Sequence, residues 1–390
     1  MSLRVVTTTS EFESLQSAWD TLYRSNSNHT PFQSWEWNFA WWKNFGDEDS
    51  LRLLLVHEDD KLVGIAPFYL RKKFYGFPLR HLGFIGQKRG DYLDFVVAAG
   101  REPFFFHEIR EYLKSGNENW QLVELKDVPE NSTNLPHLFQ QMRDAFPLFG
   151  VEHQRICVSI PLTTDWESFL QTLSKRTRKD VGYDRRFLDK TFKTEFKIFT
   201  NSSAVFDGFR DLVTIYQARW QQEKGAGRFA EESVFKFEEE VCRRLSHRGD
   251  YRLYLLYADG QPAAGLAGYV SNGKYYGDTY AHAPQFHKFS AGNVLLGMAI
   301  EDCIQNRWSE LDLSRGDEPY KFKWNGQAKR NCHIKIFHDR FAAARAAFFE
   351  GVYEKASESK RLNDWLARYR HLRYGDHHET TNDQRSATKN

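Results

Sequence analysis

The chain has 390 residues, which exceeds the roughly 100–200 residues of one ordinary domain and predicts two. Hydrophobic residues make up 41% and aromatic residues 16% of the sequence, which is enough to fill large cores and excludes a largely disordered chain. The 54 Lys and Arg residues nearly balance the 52 Asp and Glu residues, so the net charge of +2 indicates no overall attraction to nucleic acid or to a membrane surface.

Cysteine usage and hydropathy indicate the compartment. The four cysteines are far apart in sequence and form no CxxC pair, which predicts reduced thiols and not a disulfide framework or a zinc cluster. The start of the sequence lacks the long apolar segment of a signal peptide, and no run of about 18 apolar residues occurs. We therefore expect a cytoplasmic protein without stable membrane insertion.

An internal repeat sets the predicted architecture. Residues 52–68 and 252–269 each contain an apolar run, an acidic turn and a second apolar run with a glycine, which predicts an antiparallel hairpin in each half. Further along, Trp120 and Trp308 each open a similar apolar segment that predicts a strand after a helix. Two matches in the same order predict two copies of one α/β unit, facing each other across a cleft and joined near residue 160.

The second copy contains the clearest local signals. Residues 168–192 have helical spacing interrupted by Gly182, and the pair Asn272-Gly273 predicts a type I′ hairpin between residues 263–270 and 274–281. Residues 290–293 precede a helix predicted from 294 to about 306, apolar around most of its circumference and therefore buried against a sheet. The predicted domains are 1–160, 161–340, a helical extension over 341–374 and a disordered tail over 375–390.

Several motifs together resemble a known family. They are residues 31–37 with Trp41 and Trp42, residues 62–68, residues 91–95, Arg219-Trp220, and residues 315–321. In this order they are similar to the GNAT-related acetyltransferases associated with cellulose and exopolysaccharide synthesis, relatives of the Fem-type peptidyltransferases. The resemblance implies an α/β fold of two tandem GNAT-like units with mixed, mainly antiparallel sheets flanked by helices. It also implies an acyltransferase that uses acetyl-CoA or another acyl-CoA, and an acceptor that is a polysaccharide or cell-envelope precursor.

The acyl-CoA site is expected at the start of the buried helix. A pyrophosphate needs backbone N–H groups at a helix N-terminus, with small residues that allow close approach. The candidate cofactor-binding residues are Lys288, Ser290, Ala291, Gly292 and Asn293. The alternative is an ordinary helix cap by Ser290. The first copy has Arg101-Glu102-Pro103 at the corresponding position, and this acidic turn without glycine suits a phosphate poorly.

The catalytic groups are expected in the turn after the last strand of the second unit. Acyl transfer needs a base for the acceptor and a donor for the thioester oxygen or the leaving thiolate. Asp317 is the preferred base, and Asp312 falls where the first copy has Glu124, so a shared structural role competes with catalysis at Asp312. The resemblance to Fem-type relatives implies Lys323, and the closer family implies Lys321. The full catalytic set is Asp312, Asp317, Tyr320, Lys321 and Lys323; a salt-bridged surface loop is the alternative.

Three further features bear on the acceptor. The predicted substrate-binding residues are Trp37, Arg219, Trp220, Tyr280 and Arg315. Four tryptophans, Trp35, Trp37, Trp41 and Trp42, suit either sugar stacking or core packing, of which packing is favoured. A basic stripe of Lys175, Arg178, Lys179, Arg185, Arg186 and Lys190 suits either substrate phosphates, tRNA or a solvated helix face.

These features leave three functions open. The first is acyl-CoA-dependent N- or O-acyl transfer between a small-molecule donor and a saccharide or amine acceptor, with no DNA partner. The second is a Fem-like aminoacyltransferase, under which tRNA is a partner. The third is a catalytically degenerate GNAT scaffold that binds carbohydrate through its tryptophans. The histidine spacing fits no metal motif, so no metal is expected.

Overall fold

The computed structural model of the chain describes residues 2–26, 28–46, 50–116, 118–200, 204–222 and 227–358. The first half contains strands β1 (Ser2–Val6), β2 (Leu51–Glu58), β3 (Lys61–Phe74), β4 (Phe77–Phe84), β5 (Val96–Val97), β6 (Leu122–Pro129) and β7 (Leu148–Pro161). Its helices are α1 (Thr9–Ser14), α2 (Gln16–Ser25), α3 (Trp35–Phe45), α4 (Glu102–Lys114) and α5 (Leu135–Arg143).

The second half repeats this alternation of strands and helices. Its strands are β8 (Thr194–Phe199), β9 (Tyr251–Ala258), β10 (Gln261–Ser271), β11 (Lys274–His282), β12 (Glu310–Arg315) and β13 (Gln327–Phe337). Its helices are α6 (Trp166–Thr172), α7 (Lys175–Thr191), α8 (Val205–Gln222), α9 (Glu232–Arg248), α10 (Ala291–Gln305), α11 (Pro319–Lys323) and α12 (Arg340–Glu358). Short 3₁₀ helices lie at Pro31–Gln33, Arg228–Ala230 and Pro284–Phe289.

The predicted repeat is present as two equivalent hairpins. Strands β2 and β3 pair from Leu51 with Tyr69, and strands β9 and β10 pair from Tyr251 with Tyr269, so the two registers match. The turn residues Asp59-Asp60 and Asp259-Gly260 all have positive φ, as a two-residue hairpin turn requires. The hairpin predicted at Asn272-Gly273 is also present, between β10 and β11.

The two halves share one sheet. Its strand order is β1-β2-β3-β4-β6-β13-β7-β12-β11-β10-β9-β8, with β5 beside β3. Strand β7 of the first half pairs with β12 of the second, and β13 of the second half pairs with β6 of the first. The last strand of each half therefore pairs with a strand of the other half, and β7 and β13 also pair with each other at the centre of the sheet. The prediction of two units facing across a cleft did not include this edge-to-edge joining.

The boundary predicted near residue 160 lies between two elements along the chain, but it does not divide the sheet into two. The chain passes from β7 to α6 at residues 162–165, which agrees with a linker at that point. Strand β7, however, completes the sheet of the second half, and β13 completes the sheet of the first half. A cut at residue 160 separates β7 from its partner β12.

One helix prediction needs correction, and another can be checked only in part. The helix predicted over residues 168–192 breaks at Leu173-Ser174 and not at Gly182, because the Ser174 hydroxyl caps α7 by accepting from the Thr177 N–H at 3.1 Å. Helix α12 begins at Arg340, as expected. The predicted remainder of the C-terminal helix to residue 374, and the tail over 375–390, lie outside the described residues.

Candidate active site

Strands β11 and β12 form a parallel ladder that ends early. Lys274, Tyr275 and Tyr276 pair with Glu310, Leu311 and Asp312, but β11 continues to His282 and β12 to Arg315. Beyond Tyr276, β11 keeps its pairing with β10 on the other edge. The described strands therefore leave one edge of residues 277–281 without a ladder partner, next to the N-terminus of α10.

Tyr280 connects three of the predicted regions at this opening. A Cβ atom built on Gly292 would lie 2.5 Å from the Tyr280 hydroxyl, so that hydroxyl lies directly against the start of α10. The rings of Tyr280 and Tyr320 lie 5.6 Å apart, and Arg219 of α8 acts electrostatically on both phenols. The predicted cofactor loop, the turn after β12 and part of the predicted acceptor set thus meet around one side chain.

The environment of the two phenols keeps them protonated. Burial raises the pKa of Tyr280 above its ordinary value, although the charge of Arg219 lowers it. Burial and the neighbouring carboxylate of Glu318 raise the pKa of Tyr320 in the same direction. Both side chains are therefore neutral O–H donors at physiological pH.

The loop before α10 has the small residues that a phosphate site needs. Ser290 occupies the N-cap position with φ of 55°, and its side chain makes no capping hydrogen bond, so the ordinary-cap interpretation is wrong. Ala291 and Gly292 are buried, and Asn293 is exposed. The Lys288 ammonium lies 4.8 Å from the centre of the Phe289 ring.

The structure assigns Lys321 to the backbone of the turn. Lys321 is 2% exposed, and its ammonium donates to the carbonyl oxygens of Leu313, Ser314, Arg315 and Gly316 at 2.7–3.3 Å. It also lies 3.0 Å from the Glu318 carboxylate. An ammonium engaged with four carbonyls is not free to stabilise a thioester oxygen. The prediction of Lys321 as a catalytic group is therefore wrong, and Lys321 is a structural clamp.

The other candidates of the turn divide into exposed and buried groups. Asp317 and Lys323 are exposed, and Tyr320 is half-buried beside Tyr280. Asp312 is fully buried: its carboxylate accepts from the Tyr92 hydroxyl at 2.7 Å and from the Ser314 N–H at 2.7 Å. Burial raises the pKa of Asp312 to about 6, despite the charge of Lys329. Asp312 joins the two halves and lies away from solvent, which corrects its placement among the catalytic groups.

Arg315 also joins the two halves. Its guanidinium forms an ion pair with Asp91 and donates to the Gly90 carbonyl oxygen at 2.9 Å. Burial alone would lower the pKa of Arg315, but Asp91 and Asp127 raise it. The side chain that was predicted to bind substrate is thus paired with a carboxylate of the first half.

Trp37 is not part of the opening. All four tryptophans of the predicted set are between 1% and 3% exposed. The Trp37 ring packs edge to face on Phe32 at 5.3 Å and on Phe237 at 5.5 Å, because α3 packs against α9 between the two halves. Sugar stacking needs an accessible ring face, so the predicted substrate role of Trp37 and the carbohydrate-binding tryptophan face are wrong.

Arg219 and Trp220 lie near the end of α8. Trp220 packs against Tyr216 at 6.0 Å, and a Cβ atom on Gly227 would lie 3.1 Å from its ring. Both residues are half-buried. Of the five predicted substrate-binding residues, Arg219 and Tyr280 are brought together, and Trp220 follows Arg219 directly.

One polar cluster beside the opening was missed in the sequence. The Arg228 guanidinium lies 2.5 Å from the Asp278 carboxylate and 3.4 Å from Glu238, and it also donates to the Thr279 hydroxyl. Burial and the charge of Asp278 raise the pKa of Glu238 to about 7. Asp278 lies where the register between β10 and β11 shifts, and the side chains of the consecutive residues Asp278 and Thr279 both accept from Arg228. The approach of Arg228 and Glu238 to Asp278 is tertiary, and no local sequence pattern signals it.

Two absences apply to the described part of the chain. Within residues 2–358, apart from the short gaps, no group of three His, Cys, Asp or Glu side chains is arranged to hold a metal ion. In the same residues, no helix is both long and apolar enough to cross a membrane. The four cysteines are buried and form no disulfide bond with one another.

Comparison with known proteins supports the interpretation of the second half as a GNAT-type acyltransferase unit. Residues 175–322 match the family model described as an acetyltransferase (GNAT) domain. The matched segment includes the basic helix α7, the opening between β11 and β12, the α10 loop and most of the turn. This segment is thus similar to a GNAT acetyltransferase domain, and the prediction of a GNAT-type acyltransferase is confirmed. A comparison with curated proteins gives no match.

Solved structures extend the likeness to nearly the whole chain. A crystal structure of FemX is 14% identical, covers 87% of this chain and 98% of its own, and has a TM-score of 0.59. The C-terminal domain of a putative lysylphosphatidylglycerol synthetase from Agrobacterium fabrum is 10% identical, covers 88% and 97%, and has a TM-score of 0.52. A tandem GNAT protein from the clavulanic acid biosynthesis pathway is 11% identical, covers 86% and 99%, and has a TM-score of 0.44. At these identities the first two show a shared fold, and the predicted α/β fold class is confirmed.

Proposed function

We propose that the protein transfers an acyl group, an acetyl group in the first instance, from acyl-CoA to an amine or hydroxyl of a polysaccharide or cell-envelope precursor. One observation carries the proposal: Tyr280 brings the start of α10, Tyr320 and Arg219 to the opening between β11 and β12. This proximity of Tyr280 to the α10 loop, Tyr320 and Arg219 supports donor binding and acyl transfer at one opening.

The donor half of the proposal rests on α10 and on the free edge of β11. Backbone N–H groups of residues 291–293 have no helical partner and bear the positive end of the helix dipole, which suits the donor pyrophosphate. Ala291 and Gly292 are buried, and the Tyr280 hydroxyl occupies the side of Gly292 on which a Cβ atom would lie, so a phosphate would approach these N–H groups beside Tyr280. The edge of residues 277–281 without a ladder partner then offers hydrogen bonds to the amide groups of the pantetheine arm.

The chemical half of the proposal assigns two proton transfers. The acceptor nitrogen or oxygen attacks the thioester carbon and loses a proton to the Asp317 carboxylate, while the carbon–sulfur bond breaks. The neutral phenol of Tyr320 donates a hydrogen bond or a proton to the leaving thiolate, and its raised pKa keeps that proton in place beforehand. Arg219 and Trp220 contact the acceptor, and the exposed Lys323 adds positive charge at the rim.

An isosteric substitution tests the donor site. Asn293→Asp adds a negative charge at the first turn of α10 without adding bulk, and an acidic residue there stabilises the helix itself. We expect acetyl-CoA binding, measured by calorimetry, to weaken about tenfold while thermal stability stays equal or rises. Gly351→Asp is the matched control, because Gly351 lies on α12 and a Cβ atom there meets nothing within 4 Å. Wild-type affinity in folded Asn293→Asp protein would remove α10 as the phosphate site.

A Fem-like aminoacyltransferase that uses aminoacyl-tRNA is the second candidate. The observation that favours it is the concentration of basic residues on α7, where Lys175, Lys179 and Lys190 are exposed. The two functions differ in their donor, so the same calorimetry separates them. Absence of acetyl-CoA binding by the wild-type protein, together with salt-dependent tRNA binding, would favour the second candidate.

A further inference from the structure

A cavity lies between α7 and α10, next to the proposed phosphate loop. Its volume is about 270 Å³, and Asn293, Val294, Gly297 and Met298 of α10 form one wall. These residues span the first two turns of the helix, about 7 Å along its axis. The cavity therefore begins where the proposed pyrophosphate site ends and continues along α10.

Helix α7 supplies the opposite wall and divides the predicted basic stripe. Arg178, Arg185 and Arg186 line the cavity, whereas Lys175, Lys179 and Lys190 do not. Val181 and Gly182 lie between the arginines, and Trp166 and Leu170 of α6 close one end. The wall thus combines an apolar surface with three guanidinium groups.

Aromatic contacts hold α7 beside the loop before α10. The ring of Phe187 lies 5.6 Å from that of Phe289, and Phe192 lies 4.8 Å from the same ring. Phe289 directly precedes the N-cap residue of α10. This packing fixes the arginines of α7 relative to the proposed phosphate loop.

The charges of the cavity favour an anion. Arg185 lies 3.2 Å from Glu301, and Arg178 donates to the neutral amide of Gln171. Arg186 forms no ion pair with any described residue, and its guanidinium lies over Gly182, 3.1 Å from a Cβ atom built there. The one acidic residue of the lining, Asp189, accepts from the Thr194 hydroxyl at 2.6 Å. The lining therefore has excess positive charge.

We propose that this cavity binds the 3′-phosphorylated adenosine end of the acyl-CoA donor, with Arg185 and Arg186 contacting the 3′-phosphate. The assignment rests on the proposed function and adds to it a means of selecting CoA over its dephosphorylated form. A cavity of about 270 Å³ lies just below the range for whole drug-sized ligands and suits one nucleotide. Leu170, Val181 and Met298 provide apolar contacts for the base, and guanidinium groups bind phosphate with paired hydrogen bonds.

Acetyl-CoA and 3′-dephospho-acetyl-CoA, titrated against the same protein, test the assignment. We expect the wild-type protein to bind acetyl-CoA at least about tenfold more tightly than 3′-dephospho-acetyl-CoA, because loss of one charge-assisted contact lowers affinity by about that factor. The Arg185→Ala/Arg186→Ala variant should bind acetyl-CoA as weakly as the wild-type protein binds 3′-dephospho-acetyl-CoA, and its affinity for the dephosphorylated compound should stay near that of the wild type. Both side chains are exposed, so the variant should fold normally. Arg176→Ala, on the same helix with a side chain 92% exposed and outside the cavity, should keep the wild-type ratio.

The outcomes separate this assignment from the proposed function. Equal affinity of the wild-type protein for the two compounds overturns the cavity assignment and leaves acyl-CoA as the donor. An unchanged ratio in the double variant overturns the role of the arginines in the same way. Absence of binding of either compound to the wild-type protein overturns the proposed donor, and with it the cavity assignment.

Discussion

The two halves contain equivalent strand ends with opposite surroundings. In the first half, the parallel ladder of β4 and β6 ends at Gly83 and Glu124; in the second, that of β11 and β12 ends at Tyr276 and Asp312. The next residue along the chain is Phe84 in the first half and Gly277 in the second. A bulky side chain thus stands in one half where the other has none.

The chain itself fills the first opening. Phe84 is fully buried and packs on Phe68 at 5.5 Å and on Phe95 at 4.9 Å. The Gln87 side-chain amide donates to the Glu124 carbonyl oxygen at 2.5 Å, and the Leu93 N–H donates to that of Asp127 at 3.0 Å. Backbone groups that a ligand would otherwise contact are therefore satisfied internally.

The helices that follow the two openings, α4 and α10, also differ in the residues at their N-termini. Helix α4 begins after Arg101 with an acidic residue and a proline, and Arg101 is paired with Glu58. Helix α10 begins with buried small residues beside Tyr280. The first opening is thus filled by its own chain, and this difference supports our proposal that the donor binds at the second.

The largest expected effect comes from emptying the first opening. Phe84→Ala should lower the free energy of unfolding by about 3–5 kcal/mol, because it removes a fully buried aromatic ring and leaves a cavity. Acetyl-CoA affinity of the folded protein should not change. Urea denaturation and calorimetry measure the two quantities.

Gly277→Ala is the counterpart in the second half. A Cβ atom there would lie 3.1 Å from the Leu266 side chain and 3.3 Å from the Asp312 carbonyl oxygen, so it narrows the strand opening. We expect Gly277→Ala to weaken acetyl-CoA binding more than Phe84→Ala does. Conversely, Phe84→Ala should lower the free energy of unfolding more than Gly277→Ala does. Equal weakening of acetyl-CoA binding by both substitutions would refute the functional difference between the halves.

The next effect concerns Tyr320, whose phenol has no counterpart in the filled opening. Tyr320→Phe should lower turnover about 10²–10³-fold, as loss of one positioned donor typically does. The acetyl-CoA affinity should stay near that of the wild type, because the ring that packs on Tyr280 is kept. Steady-state kinetics with an identified acceptor and calorimetry give the two values.

Tyr183→Phe serves as the control, since Tyr183 is 55% exposed on α7. Full turnover in Tyr320→Phe would show that the leaving group needs no donor at this position. Parallel loss of turnover and of acetyl-CoA affinity would instead assign Tyr320 to donor binding.

Local signals explain which parts of the fold were predictable. The hairpins at Asp59-Asp60 and Asn272-Gly273 depend on turn residues with positive φ. The residue types at these two positions, between two apolar runs, are enough to predict such a turn. Helix α10 was predictable from its uniform apolar surface. The exchange of β7 and β13 was not, because those strands pair with segments about 150 or more residues away, for which no local pattern exists.

The candidate site was predictable to a similar degree. The α10 loop and Tyr320 could be proposed from the sequence because small residues, phenols and carboxylates carry recognisable chemistry. Lys321 and Lys323 look alike in sequence, and only the folded turn shows that one is buried under four carbonyls and the other is exposed. Arg228 and Glu238 were missed because they reach Asp278 only through tertiary packing.

The smallest expected effect concerns the buried acids at the ends of the two parallel ladders, Glu124 and Asp312, and it is tested at Asp312. Burial alone would raise the pKa of Glu124, but Lys126 and His333 lower it below its ordinary value. Burial raises the pKa of Asp312 to about 6. The folded protein therefore binds a proton at Asp312 between about pH 4 and pH 6 that the unfolded chain has released, and above pH 6 the charged carboxylate lowers stability. The hydroxyl of Tyr92 offsets part of that cost by donating to Asp312.

Tyr92→Phe removes this donor and raises the pKa of Asp312 further. We expect the free energy of unfolding to fall by about 1–3 kcal/mol at pH 7.5, because a buried carboxylate loses a hydrogen bond. At pH 5 the loss should be smaller, since Asp312 is mostly protonated in both proteins. Urea denaturation at the two pH values, with each variant compared with wild type at the same pH, cancels the titration of other groups. An equal or greater loss at pH 5 would show that the Tyr92 hydroxyl does not act through the charge of Asp312.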